Sequence, residues 1–386
     1  MKKYILLFCI SALAFTGYNQ DLLDIPQKGV LSIETFYKTD ADAEAALVGV
    51  YFDSHRNFGK SDAEYNFGPI FGLTNFQSPD IYLAGSGVGD CVTQREFQQF
   101  RYANDNALPL AAYTAFYRSI HKCNLVITNF TEEKLGSPLT PTMKRCVAEA
   151  RVMRAYNHLM LGIYWGVPPI VEEVLTGASR PANAESQEAV MAWVSKEIDI
   201  ALPDLTERQG TNDKAGAVEI TKGFANAIKG KALIWKKDYA GAKTALKEVI
   251  NSGNYALVPS SDMIRIGHAD GKASSESVFE FNITCDPKVI SNPNENFRVG
   301  WNDHMTFNWR FEYLNGGNIG GDAQVNNNGW GWVNPTGDFA RTLIANDGME
   351  SARRKAWIKT YDEILYDHKW VSDGENFVPG RTDAKA

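Results

Sequence analysis

A chain of 386 residues with a hydrophobic fraction of 44% carries enough apolar material for one large domain or two ordinary ones, which argues against disorder as its default state. Its 39 basic and 46 acidic side chains leave a net charge of -7, and no block of Lys or Arg stands ready to neutralise phosphates, which argues against nucleic acid as a partner. Nine Trp and sixteen Tyr supply large rings with a polar edge, suited both to cores and to sugar-binding surfaces.

Residues 1–17 read as an export signal: Lys2 and Lys3 precede an apolar stretch from Tyr4 to Ala14, with small residues at Ala12 and Ala14. That stretch is too short to span a bilayer. Thr39 and Asp42 form a capping box ahead of a helix whose apolar face runs Ala43, Leu47, Val50. The run Leu73-Thr74-Asn75-Phe76-Gln77-Ser78-Pro79-Asp80, followed by Tyr82, has the composition of a turn in which Asp80 either caps the backbone or faces a ligand. The glycines from Gly85 to Gly89 lack a preceding strand and a following apolar helix in this reading, so they make a weak nucleotide loop. A second helical pattern follows Pro109, with Tyr113, Phe116, Tyr117, Ile120, Ile127 and Phe130 on one side.

Between Met143 and Pro169, apolar residues recur at Met143, Val147, Ala150, Met153, Tyr156, Met160 and Ile163. Each step is three or four positions, which predicts a helix with one buried face for about six turns. Gly166, Pro168 and Pro169 end it, because proline removes a donor and fixes φ. Ala148-Glu149-Ala150-Arg151, Arg154-Ala155-Tyr156 and Tyr164-Trp165-Gly166-Val167-Pro168 closely resemble the signature helix of the SusD/RagB family of outer-membrane nutrient-binding proteins.

The resemblance implies a mainly α fold, a tetratricopeptide-like helical superhelix with a loop-rich, partly irregular ligand-binding subdomain. It divides the chain into a SusD-like amino-terminal region at 18–273 and a carboxy-terminal region at 274–386, and since family members generally run on past Ala386, the second region is expected to be incomplete. Family members usually carry a lipoprotein signal with a Cys after a small residue. Here Phe15-Thr16-Gly17 is followed by Tyr18, which offers no thiol for a lipid, and Cys9 inside the apolar stretch is a poor substitute. Ordinary cleavage after Ala14 is the alternative.

Further along, Val190, Val194, Ile198, Ala201, Leu202 and Leu205 mark another helix. Two more helical stretches, Glu219 to Asp238 and Tyr239 to Asn251, form a pair. Gly230 and Ala242 occupy small-residue positions of a degenerate tetratricopeptide unit, with Leu246 one turn on. The segment Glu276 to Phe281 alternates like a short strand. Asn315 to Gly337 is crowded with Asn and Gly and shows no helical period, which predicts a long functional loop. Order returns near Asp347 to Arg354, similar to a family stretch in which an Asp precedes paired basic residues. Cys123 and Cys146 lie in apolar helical patterns and are expected as buried thiols, while Cys91 and Cys285 are widely spaced from them. No pair of cysteines has zinc-ligand spacing, and no cofactor is implied.

Trp301, Trp309, Trp330 and Trp332 fall within a short stretch that also holds Phe307, Phe311 and Tyr313. Indole faces stack on the apolar face of a pyranose, and nearby amides and carboxylates, here Asn302, Asp322 and Asn328 among others, serve its hydroxyls. Alternation of Phe307, Trp309 and Phe311 also fits one packed face of a strand, whereas Trp330 and Trp332 between glycines read as exposed. The candidate ligand-binding set is therefore Trp330, Trp332, Trp309, Trp301, Asn302, Asn328, Asp322, Phe76, Asp80 and Tyr82. The six histidines are scattered and no hydrolase motif occurs, so an enzyme is not expected. His158 reads as a core or groove residue. The resemblance implies a surface protein that binds oligo- or polysaccharide and delivers it to a TonB-dependent, SusC-like outer-membrane transporter. A helical scaffold for a protein partner and a glycoside hydrolase are the competing readings.

Overall fold

In the computed structural model, the described residues are 33–59, 69–83, 89, 92–266, 271–282, 333–358, 363, 370–372 and 377–379. The expected export signal, Tyr18, Cys9, Cys91, Cys285 and the stretch 301–332 lie outside them. The architecture is mostly helical. Its main helices are α1 (Asp40–Gly59), α2 (Pro69–Asn75), α3 (Val92–Gln98), α4 (Ala107–Asn129), α5 (Pro141–Trp165), α6 (Gln187–Ala201), α7 (Lys222–Trp235), α8 (Tyr239–Asn251), α9 (Gly337–Asp347) and α10 (Ala352–Trp357). Among the described residues, four short strands make two antiparallel ribbons, β1 (Ile81–Leu83) with β2 (Val333–Pro335) and β3 (Trp370–Ser372) with β4 (Phe377–Pro379).

The capping box ahead of α1 forms as expected: Thr39 N–H donates to Asp42 Oδ2 at 2.8 Å, and Asp42 N–H to Thr39 Oγ1 at 3.2 Å. Helix α4 begins before Pro109, which sits in its first turn where a missing N–H costs nothing, and Asn106 caps it by accepting from Leu108 N–H at 3.1 Å. Thr140 caps α5, and Gly166 at φ 74 ends it.

Helix α5 departs from the amphipathic expectation. From Ala148 to Gly162 nearly every position is buried, including Glu149, Arg154, Asn157 and His158. A helix surrounded on most sides must satisfy its polar groups with neighbours, since an unpaired buried charge is costly. Glu149 accepts from Tyr51 Oη on α1 at 2.6 Å and from Arg145 at 2.7 Å. Burial nevertheless raises its carboxyl above the usual range. Arg154 pairs with Glu197 on α6, donates to Asn124 Oδ1 on α4 at 2.8 Å and to Glu172 O at 2.9 Å, and lies 5.5 Å from the Trp193 ring centroid.

The same side chains fasten the segment that follows α5. Val171 N–H donates to His158 Nε2 at 3.0 Å, so Nε2 is the unprotonated nitrogen and Nδ1–H donates to Arg154 O at 2.9 Å. Asn124 donates to Val171 O and Glu173 O, and Tyr117 Oη donates to Pro169 O at 2.8 Å. The signature residues thus turn the chain at Gly166 and strap it back across α4 and α5.

Apolar packing divides into two cores that share α4 and α5. The first joins α1, the carboxy-terminal half of α4, α5, α6 and α7. The second gathers Ile70, Leu73, Phe76, Leu83, Phe97, Phe116, Leu161 and Val171, and Val333 of β2 packs on it. Cys123 and Cys146 are free and buried, and burial pushes their thiols up to about 12 and about 11. In the tetratricopeptide-like pair, a Cβ on Gly230 would sit 2.6 Å from Leu246 Cδ2, so a larger residue would force Leu246 to shift where α7 meets α8.

Three expectations need correction. Residues 276–281 are not a strand: they have no strand partner among the described residues, and Phe279 and Phe281 instead pack on the first core beside Tyr51. The end of the Asn315–Gly337 stretch is ordered as β2 and the start of α9. The Gly85–Gly89 segment, described only at Gly89, does follow a strand, the three-residue β1 of an antiparallel ribbon, while the seven-residue α3 beyond it is mostly polar, in keeping with the expected lack of an apolar helix.

Arg154→Met leaves Glu197 buried with only Arg151 to meet it, and is expected to cost about 3 kcal/mol in urea melts, with most of the loss recovered in Arg154→Met/Glu197→Leu. Burial pushes the His158 imidazole down to about 3, well below its unfolded value. The unfolded chain therefore takes up a proton that the native state refuses. The stability due to neutral His158 is complete above about pH 6.5 and is lost as pH falls toward about 3, roughly 2 kcal/mol between about pH 7.5 and 5. His158→Gln is expected to flatten the pH dependence of stability by that amount.

Candidate functional site

The second core carries an exposed corner built from β1, β2 and α3. Leu83 is fully buried and Val333 half-buried, anchoring the ribbon, while Tyr82 between Ile81 and Leu83 points outward and is 56% exposed. The register pairs Ile81 with Pro335, Tyr82 with Asn334 and Leu83 with Val333. The ribbon thus joins two segments that the sequence had singled out separately, one ending in Asp80 and Tyr82, the other reaching β2 directly after Trp332.

Hydrogen bonds lock the corner. Thr336 N–H donates to Asp80 O at 2.8 Å, and its hydroxyl donates to Pro79 O at 3.0 Å across 257 positions of sequence. That hydroxyl also caps α9 by accepting from Phe339 N–H at 3.2 Å. Gln98 at the end of α3 donates to Ile81 O at 2.9 Å, and Gln77 donates to Phe97 O at 3.2 Å. These amide ties had no signal in the sequence, because a glutamine that reaches a distant backbone carbonyl looks like any surface glutamine.

The predicted site residues divide clearly. Tyr82 and Asp80 are exposed, and the Asp80 backbone N–H donates to Ser78 Oγ at 3.1 Å. Phe76 is fully buried, its ring edge-on to Phe71 with centroids 5.9 Å apart. Its place is therefore in the core beneath the corner and not on a binding surface, a correction that follows from the helical turn of α2 aiming it inward. Trp301, Asn302, Trp309, Asp322, Asn328, Trp330 and Trp332 lie outside the described residues. Two cavities share no residue with the corner: one of about 620 Å³ lined by Tyr51, Lys214, Lys272 and Phe281 among others, and a groove of about 780 Å³ between α6, α7 and α8. Among the described residues no group of three or more His, Cys, Asp or Glu side chains is placed to hold a metal ion.

No family model matches the chain. It is 24% identical over 211 residues to a SusD-like protein of Bacteroides ovatus, covering 54% of this chain and 36% of that protein. It is 28% identical over 179 residues to SusD-like protein P2 of Formosa agariphila, covering 46% and 33%. The matched region thus spans about a third of either relative. Among solved structures, a laminarin binding SusD-like protein superposes with a TM-score of 0.67 at 20% identity, over 90% of this chain and 71% of that one. Surface glycan-binding protein A of Bacteroides thetaiotaomicron, in complex with laminarihexaose, also gives 0.67, at 16% identity over 90% and 69%. The fold is that of the SusD-like proteins.

Together these likenesses agree with the resemblance that the α5 motifs carry. The mostly helical architecture with its tetratricopeptide-like pair agrees with it, and Arg154 of the signature motifs helps fasten the segment after Gly166 by donating to Glu172 O.

Replacing Thr336 by Val removes both the α9 cap and the tie to Pro79. The variant is expected to lose about 1 kcal/mol in urea melts and to exchange the Ile81–Leu83 amides faster than the wild type. Unchanged exchange there would show that the ribbon does not depend on this side chain.

Proposed function

We propose that this chain binds oligo- or polysaccharide at the cell surface, leaves it chemically unchanged, and delivers it to a TonB-dependent, SusC-like transporter of the outer membrane. The observation that carries the reading is the β1–β2 ribbon, which presents Tyr82 on an anchored corner and leads directly into the segment bearing Trp330 and Trp332. Aromatic faces beside exposed carboxylate and amide groups suit a sugar, whose rings offer apolar C–H faces edged by hydroxyls. The glycan-binding names of the fold neighbours favour the same class of ligand. Export and an outward-facing place on the outer membrane belong to the same proposal.

A second reading, a scaffold for a protein partner, draws on the groove between α6, α7 and α8, whose walls mix Asp199, Glu207 and Glu248 with Lys222 and Lys229. Affinity electrophoresis separates the two. Purified protein is expected to be retarded by at least one of laminarin, starch, xylan and pectin in native gels. Tyr82→Ala and Trp330→Ala/Trp332→Ala are each expected to weaken that retention about fivefold, as loss of a stacked ring does, with circular dichroism unchanged. Absence of retardation of the wild type by every glycan would reject the saccharide reading.

A further inference from the structure

Helix α3 ends in an unusual way. Arg101 N–H donates to Glu96 O at 2.9 Å, and Phe100 N–H to Phe97 O at 3.1 Å. These are the two bonds of a Schellman cap, which puts Phe100 at the position where the backbone turns left-handed, and its φ is 56°. Glycine is favoured there because a Cβ collides with the carbonyl oxygen. The chain uses glycine with positive φ at other helix ends, at Gly136, Gly166, Gly253 and Gly348.

Lys237, at φ 66°, occupies the matching position after α7, with Lys237 N–H bonded to Ile234 O and Asp238 N–H to Leu233 O. A lysine there costs backbone strain and gains solvation of its ammonium. Phe100 has no such return. Its side chain is 69% exposed, so little apolar burial offsets the strained backbone. A conformation that favours glycine, filled by an aromatic ring facing water, conflicts with every local rule of stability, and such conflicts collect where a side chain serves something outside the fold.

The surroundings say what that is. Gln98, two residues earlier, holds Ile81 O, so Phe100 rises from the same α3–β1 corner as Tyr82. Tyr102, 43% exposed, lies with its ring 4.8 Å from that of the buried Phe97. Asp80, Gln99 and Arg101, close in sequence to these aromatic residues, are exposed, with Arg101 donating to Gln99 Oε1, and they carry acceptors and donors suited to hydroxyl groups.

We propose that Phe100 is a saccharide-contacting residue, held in a left-handed cap so that its ring, with Tyr82 and Tyr102, stacks on the C–H face of a pyranose. The inference rests on the saccharide-binding reading of this corner and adds a contact that no sequence motif marks. Its signature is a separation of stability from binding. Phe100→Gly relieves the backbone and removes the ring, Phe100→Ala removes the ring alone, and Phe100→Trp keeps an aromatic face.

The test uses the full chain in native gels containing laminarin, starch, xylan or pectin, alongside thermal melts. Phe100→Gly is expected to melt no lower than the wild type and roughly 1–3 °C above Phe100→Ala, while both weaken glycan retention about fivefold and Phe100→Trp preserves it. Full retention by Phe100→Gly, with Tyr82→Ala impaired, overturns the role of Phe100 and leaves the saccharide reading standing. A melt several degrees below the wild type for Phe100→Gly overturns it also, because the ring then serves the fold. Failure of the wild type to be retarded by any of the four glycans overturns both.

Discussion

A guanidinium inside a helical stack needs partners on every side, and Arg154 has them. It meets Glu197 on α6, Asn124 on α4 and the carbonyl of Glu172 in the returning segment, with the Trp193 ring close by. One side chain on α5 thereby sets the relation of three helices and the strap that follows Gly166. The cost of leaving such a charge unmet explains why the arrangement is specific: a slide of α6 or a different path after α5 strands either Arg154 or Glu197 in the interior. His158 completes the fastening by accepting Val171 N–H. With α4 and α5 fixed, both cores are fixed, and the second core holds the β1–β2 corner in place.

Periodic apolar residues made much of the helical scaffold legible. Ala43, Leu47 and Val50 on α1 and Val190, Val194 and Ile198 on α6 are buried as their spacing predicts. The Gly230 and Leu246 contact follows from the same logic, a missing Cβ where two helices touch. The reading faltered on α5, since a stripe of apolar residues says which face is certainly buried and nothing about whether the remaining face is exposed. Burial of Glu149, Arg154 and His158 depends on partners contributed by Tyr51, Asn124, Glu197 and Val171, and a local window cannot contain them. Alternation at 276–281 failed for a related reason. The side chains of Phe279 and Phe281 do turn to a core, but a strand also requires a neighbouring backbone, which this segment does not find among the described residues.

The candidate site shows the same division between local and distant information. Turn chemistry around Ser78, Pro79 and Asp80 was readable, and Tyr82, chosen there as a ligand candidate, is exposed. Phe76 was misplaced because composition cannot tell a ring beneath a surface from a ring upon it. The pairing of Tyr82 with Asn334 is a contact across most of the chain, and no short motif announces it. Phe100 is the clearest case of hidden information: nothing in Val-Thr-Gln-Arg-Glu-Phe-Gln marks a left-handed cap three residues after a phenylalanine, and only the observed φ exposes the conflict.

The most direct test of this account is a crystal structure of the protein with an oligosaccharide from whichever glycan it retains. A sugar ring is expected to stack at the α3–β1–β2 corner, in contact with Tyr82 and with the tryptophans at 330 and 332. A saccharide seated instead in the groove between α6, α7 and α8, against Lys222 and Glu248, with the corner empty, would contradict it.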